Sequence, residues 1–272
     1  MSVQNTEQPG LSMPERHARI LEIMHQKGSV SVGALAEQLK VSEVTVRKDL
    51  SALEQQNKLY RAHGSAILIS PYISDRHVNE KEKLSVAEKR AIGLQAAETI
   101  TRDDSVIIAS GTTMLFFARE IVPQGKLTAI TSAIPVASIL SNKKDVEVVQ
   151  LGGVLRDSSV SVVGYFAQTM LRNFSCSKLY LGVDGIDLDF GLTTTNLMEA
   201  ELNRVMMNAA QKTIVLADST KFGRRGFSKI CDLEEVDGII TDSNVQPRFL
   251  KELRERGIEV TVVDVVGTPT AI

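Results

Sequence analysis

The sequence predicts two domains of different class: an N-terminal winged helix-turn-helix over residues 13–70 and a C-terminal α/β domain with a mostly parallel sheet over residues 85–272. Three observations carry this. Before residue 56, apolar residues recur three times at helical spacing. Across ISPYISDRHVNEKEKL, residues 69–84, that periodicity is lost, and Pro71 and a charge cluster mark a linker over 71–84. Beyond residue 104, short apolar runs without clean polar alternation take turns with helical patterns, as in a parallel sheet covered on both faces.

Composition narrows the class. The chain has 272 residues, 43% hydrophobic and 24% charged, with a formal net charge of −2, ordinary values for a soluble globular protein. Cys176 and Cys231 lie far apart and outside any C-x-x-C pattern, so neither a disulfide framework nor a zinc site is expected. No apolar run approaches the roughly 18 residues of a membrane span. The opening MSVQNTEQPGLS has no apolar signal region; residues 1–12 are expected to be a disordered tail and the protein cytoplasmic. All four histidines (His17, His25, His63 and His77) precede residue 80, which removes His-based triads and His-ligated metals from the second domain. No metal or cofactor is expected.

The first helix starts at Ser12-Met13-Pro14-Glu15, with Ser12 as N-cap and Glu15 in the capping-box position; Ile20, Leu21 and Met24 supply its apolar face and Gly28 its stop. A second helix follows Ser31, with Val32, Leu35 and Leu39 inward. Lys40-Val41 then turns the chain into a third helix, residues 42–56, capped by Ser42, with Val41 and Val46 placed for a hydrophobic staple. Val46, Leu50 and Leu53 form its buried stripe. The opposite face carries Val44, Lys48 and Ser51, flanked by Thr45 and Arg47. Arg and Lys reach phosphates or guanine, Thr bonds either way, and a valine methyl meets a thymine methyl. Two helices joined by a short turn, the second presenting such an N-terminal face, predict major-groove binding to double-stranded DNA. After a stop at Asn57, KLYRAHGSAILI gives two β-type runs around His63-Gly64, a wing carrying Arg61 and His63. Residues 40–64 hold five basic and three acidic side chains, a modest positive footprint.

The second domain opens with a further capping-box pattern, Ser85-Val86-Ala87-Glu88, and a helix to about Ile100. Strand-like runs follow at SVIIA, LTAIT, VEVVQL, KLYLGV, TIVLA, DGIIT and IEVTVVDV, with a late helix near Phe249–Arg256. Ligands of such sheets bind at the carboxyl ends of the strands. Polar residues collect there: Ser110, Gly111, Thr112 and Thr113; Thr131 and Ser132; Gly152 and Gly153; Asp184 and Gly185; and Asp218 to Lys221. Hydroxyls and backbone N–H groups at the strand-to-helix junction suit a phosphate, with Lys221 to neutralise it. Asp184 and Glu199 would accept hydrogen bonds from sugar hydroxyls. A phosphorylated sugar or polyol fits this chemistry best.

ERHARILEIMHQKGSVSVGALAEQL, VSEVTVRKDLSALE and LYRAHGSA in the first domain, with EKRAIG, SGTT, LGG, GVDGID and DSTKFG in the second, together resemble the DeoR family of bacterial sugar-metabolism regulators over nearly the whole chain. RKDL stands where that family more often has two arginines, HGSA where it has HGGA, and Thr131-Ser132-Ala133 where it has Thr-Asn-Ser. The resemblance implies a winged helix-turn-helix joined to a sensor domain akin to sugar-phosphate isomerases and CoA transferases. It also implies a phosphorylated sugar effector that relieves repression, and a homo-oligomer, dimer or tetramer. The alternative is a sugar-phosphate isomerase with an appended N-terminal domain, in which Asp184, Glu199 and Lys221 supply acid, base and electrostatic stabilisation. GVDGID is poor in acidic groups for that role, so no catalytic residue is assigned.

Overall fold

The computed structural model describes residues 11–27, 29–55, 59–62, 65–68 and 75–265. The chain divides into two compact units, Met1–Ser70 and Pro71–Ile272. The expected tail before residue 11, the stops at Gly28 and Asn57, Pro71, and the wing tip with His63 lie outside the described residues.

In the first unit, α1 (Met13–Lys27) leads through β1 (Ser29–Ser31) to α2 (Val32–Leu39) and α3 (Glu43–Gln55), followed by β2 (Leu59–Ala62) and β3 (Ser65–Leu68). Glu15 accepts from both the backbone N–H (2.9 Å) and hydroxyl (2.6 Å) of Ser12, half of a capping box. Ser31 caps α2 by accepting from Ala34 N–H, and Ser42 caps α3 by accepting from Thr45 N–H, both at 3.2 Å. Lys40, at φ 54°, closes α2 and makes the turn short. Ile20, Met24, Leu35, Val46, Leu50 and Leu53 pack into one core, with Ile23 added to the expected set. The wing is an antiparallel hairpin running from Leu59↔Leu68 to Ala62↔Ser65; β1, unpredicted, joins it through Ser29↔Ile67.

The second unit begins with α4 (Val78–Glu82) and α5 (Val86–Ala97). Then come β4 (Ser105–Ile108), α6 (Thr112–Glu120), β5 (Leu127–Thr131), α7 (Ile134–Leu140) and β6 (Val146–Gln150). A small hairpin, β7 (Val154–Arg156) and β8 (Ser161–Val163), precedes α8 (Tyr165–Leu171) and β9 (Cys176–Leu181). β10 (Gly185–Asp187), β11 (Gly191–Thr194), α9 (Leu197–Asn208), β12 (Ala210–Leu216) and β13 (Ser228–Cys231) follow, then β14 (Gly238–Asp242), α10 (Pro247–Glu255) and β15 (Glu259–Val263).

All seven expected strands form one parallel sheet, ordered β15-β14-β12-β9-β4-β5-β6. Their apolar runs are continuous because both faces are covered. Val106 and Ile108 enter one core with Phe117, Leu127 and Tyr180, while Ile107 and Ala109 enter the other with Leu179, Leu181 and Val215. β10, β11 and β13 make a separate antiparallel sheet beside it.

Two expectations are corrected. Residues 75–84 are not a free linker. Val78 is buried in the second unit's core and its N–H donates to Ser158 O at 2.6 Å. Charges of the cluster that marked the linker have partners there, Lys81 on Asp184 (2.9 Å) and Glu82 on Arg119 (2.7 Å). Nor does Ser85 cap α5 with its side chain: it sits at φ 48° without a capping bond, and α5 stops at Ala97 rather than Ile100.

Candidate functional site

In the first unit the exposed side of α3 is a shallow trough lined by Val44, Arg47, Lys48, Ser51, Ala52 and Gln55. Val44 is 59% exposed, unusual for a helical valine. Arg47 donates to Glu43 one turn earlier at 2.7 Å, Ser51 donates back to Arg47 O at 2.8 Å, and the half-buried Thr45 hydroxyl meets that of Ser42 at 2.9 Å. The face is held from behind by Asp49, one residue after Lys48 and buried. Arg16 of α1 grips it through Nε and Nη2, and His17 Nε2 lies 3.2 Å away. Burial pushes the Asp49 carboxyl up, but Arg16 and His17 hold it below its ordinary value. Arg61 lies in β2 as expected.

In the second unit the strand order reverses between β4 and β9, with β5 and β6 added on one side and β12, β14 and β15 on the other. Such a switch point leaves a crevice outside the carboxyl ends of the two strands. A small cleft opens there, lined by Ser110–Thr113 after β4, Gly182–Asp184 after β9, and Lys221 beyond β12, with Asp75, Lys81, Arg156 and Glu199 around them. Gly111 N-caps α6 at φ 127°, a conformation open only to glycine at low cost, and so turns the first N–H groups of the helix toward the cleft.

Of the twelve residues singled out in this domain, Ser110, Gly111, Thr112, Thr113, Asp184, Glu199 and Lys221 line the cleft; Thr131, Ser132, Gly152, Gly153 and Gly185 do not. The other five lie outside it. Thr131 Oγ1 accepts from Ala133 N–H at 3.1 Å, and Ser132 O accepts from Val162 N–H at 2.9 Å. Gly152 and Gly153 follow β6, two strands from the switch point. Gly185 opens β10, where a Cβ would stand 2.4 Å from Arg224 O. Among the described residues, no group of three or more His, Cys, Asp or Glu could hold a metal ion, and no helix is long and apolar enough to cross a membrane.

Two family models match this chain: a DeoR-like helix-turn-helix domain over residues 16–72 and the DeoR C-terminal sensor domain over residues 84–243. The chain belongs to the DeoR family. It is a transcriptional regulator, with a DNA-binding domain followed by a sensor domain. It is 38% identical, over 92% of its length and 93% of the relative's, to an Escherichia coli O157:H7 protein provisionally assigned as the aga operon transcriptional repressor. It is 31% identical, over 90% of its length and 98% of the relative's, to the lactose phosphotransferase system repressor of Staphylococcus epidermidis. Among solved structures, ribose 5-phosphate isomerase A from Methanocaldococcus jannaschii overlaps 53% of this chain and 55% of its own, at 13% identity and a TM-score of 0.36.

The cleft of this DeoR sensor domain is more charged than the sequence suggested. Asp184 accepts from Lys81 at 2.9 Å and from Thr194 Oγ1 at 3.2 Å. Glu199 accepts from Ser110 Oγ (2.6 Å), Arg156 Nη1 (2.9 Å) and Thr194 Oγ1 (3.2 Å). Burial pushes both carboxyls up. For Asp184, Lys81 and Lys221 more than offset this and hold it below its ordinary value. Glu199 stays above its own, because the neighbouring Asp184 charge adds to burial against the pull of Ser110 and Arg156. Behind the cleft, buried Lys89 donates to Lys81 O and Leu84 O, both at 2.6 Å, fixing the α4–α5 turn. Burial takes its ammonium down to about 8. Sequence reasoning missed Asp75, Lys81 and Arg156. RDSS, two residues beyond LGG, was a usable signal for Arg156; Asp75 and Lys81 lay in a stretch read as linker.

Proposed function

We propose that this regulator is a repressor of a carbohydrate-utilisation operon, and that a phosphorylated sugar or polyol bound in the cleft lowers its operator affinity. The observation that carries the reading is the convergence at one switch point of a helix N-terminus, three cationic side chains and two largely buried carboxylates. In this reading the N–H groups and hydroxyls of Ser110–Thr113, with Lys221, hold the phosphate, and Asp184 and Glu199 receive sugar hydroxyls. On the DNA side, Ser42, Val44, Thr45, Arg47, Lys48 and Ser51 face the major groove, and Arg61 and His63 belong to the wing. A homo-oligomer would present paired α3 helices to half-sites about one helical turn, ~34 Å, apart. We place the protein in the cytoplasm with its DNA.

Binding without turnover is the better use of these carboxylates. Asp184 and Glu199 are each tied to a cation and to at least one hydroxyl, which holds both carboxyls in place to receive ligand hydroxyls. Fluorescence anisotropy on DNA from upstream of the protein's own gene tests both halves, titrated with sugar phosphates at one fixed salt concentration. Sequence-dependent binding, released by one phosphate, is expected. Binding no tighter than to random DNA, with turnover of a sugar phosphate instead, would replace the regulator with the isomerase.

A further inference from the structure

Negative charge has two places in the cleft, and the chain itself fills one of them. Asp75 stands five residues beyond Ser70, where the first unit ends. Its Oδ2 accepts from Arg156 Nη2 and from Ser158 Oγ (3.0 Å), and its Oδ1 from Thr195 Oγ1 (3.2 Å). A guanidinium and two hydroxyls, brought from two separate segments, thus converge on one carboxylate. This is the kind of donor set that proteins offer to phosphate and carboxylate groups of ligands.

The two sides of this contact are unequal. Arg156 is fixed: its side chain is 11% exposed and its Nη1 is already held by Glu199 Oε2 at 2.9 Å and Ser159 Oγ at 3.1 Å. Asp75 is 41% exposed in its side chain and reaches the seat from the segment preceding α4. Arg156 thus carries two carboxylates, Glu199 on one nitrogen and Asp75 on the other. Glu199 also joins the seat to the α6 end of the cleft, its other oxygen receiving Ser110 Oγ at 2.6 Å.

We infer that Arg156, Ser158 and Thr195 form an anion seat which Asp75 occupies as an internal ligand, and that an oxyanion group of the effector enters by displacing it. This rests on the sensor reading above. It supplies what that reading needs, a difference between the two states that the ligand can exploit. An effector on the seat releases the residue at the start of the second unit from its anchor. The chain connection from the DNA-binding unit then runs into a segment with one tie fewer. The same coupling works in reverse, so that whatever holds Asp75 in place opposes ligand entry.

The test is calorimetric titration of the full chain with inorganic phosphate and, separately, with acetate, comparing wild type, Asp75→Asn, Asp75→Ala and Asp157→Asn. Asp157 is an exposed neighbour whose carboxylate makes no ion pair with Arg156, so its variant removes the same charge without vacating the seat. Both Asp75 variants are expected to bind one of the two anions about fivefold or more tightly than wild type, with Asp157→Asn unchanged. The anion that gains identifies the group the seat prefers. Equal affinities in wild type and both Asp75 variants, or an equal gain in Asp157→Asn, would overturn the internal-ligand assignment. Operator binding by the same samples is measured in parallel. Its absence in wild type would remove the regulator reading, while the anion titrations would still decide the seat.

Discussion

Arg47 is where the DNA-binding reading is most exposed to test. Its guanidinium Nη2 lies 2.7 Å from Glu43 Oε2 one helical turn back, and the two side chains are 59% and 51% exposed. An exposed pair at this spacing contributes only about 0.3–0.5 kcal/mol to the helix. On DNA, Arg47 has to leave Glu43, so that amount is subtracted from whatever it gains there. A single arginine contact to a base edge or phosphate is worth about 1–3 kcal/mol. Arg47→Ala should therefore weaken operator binding by a net ~0.5–2.5 kcal/mol, or roughly 2- to 70-fold. If the lost contact is to phosphate, the slope of log K against log salt should fall by about 0.9. Glu43→Gln frees the arginine in advance and should tighten binding about twofold. Both positions are exposed, so the fold should be unaffected within about 0.5 kcal/mol. Anisotropy over a salt series gives all of these quantities. Unchanged affinity and slope in Arg47→Ala, with the variant folded, would remove this face of α3 from the DNA interface.

Two further predictions concern the sensor domain's framework. Asp104, buried at the opposite end of β4 from the cleft, is driven up by burial but pulled down further by Lys178, Ser177 and Thr101, to about 2 against an ordinary 3.8. A depressed carboxyl pKa adds stability that is full above its unfolded value and disappears as pH falls through the folded one. The drop amounts to roughly 2–2.5 kcal/mol. Asp104→Asn should cost about that much in urea unfolding at pH 7, followed by circular dichroism, and the gap to wild type should close between about pH 4 and pH 2; a pH-independent gap would refute the assignment. Gly93 of α5 lies against α6, where a Cβ would stand 2.8 Å from Phe117 N and 2.9 Å from Phe116 C. Gly93→Ala should therefore push the helices apart at a cost of about 1–3 kcal/mol, a melting shift of several degrees; a stabilised variant would show that α5 and α6 can part freely.

The elements were legible where their signal was local. Val46, Leu50 and Leu53 repeat within one helix, and runs such as SVII and GIIT are short and rich in β-branched residues, as in a strand covered on both faces, so α3 and the seven parallel strands could be read directly. The same local rule misled at Ser85, whose Ser-x-x-Glu pattern matches that of Ser12 but whose backbone adopts φ 48°. Charge patterns were the least legible. Asp49 counts in the sequence only as one of three acidic side chains in residues 40–64, yet it is buried because Arg16, 33 residues earlier, comes to meet it. Lys81 and Asp75 read as linker charges, yet they pair with Asp184 and Arg156 across 103 and 81 residues.

By itself, then, the sequence determined the two domain classes, their elements and the chemistry available at each strand end, because periodicity, caps and turn residues act over a few positions along the chain. Only the tertiary structure decided which strand ends share a site. Ser110, Asp184 and Lys221 meet because β4, β9 and β12 are consecutive in the sheet, while Thr131 ends β5 and Gly152 follows β6, strands that lead away from the switch point. Strand order arises from packing between segments far apart in the chain. The same packing set Asp75 on a buried arginine, a pairing that no local pattern could announce.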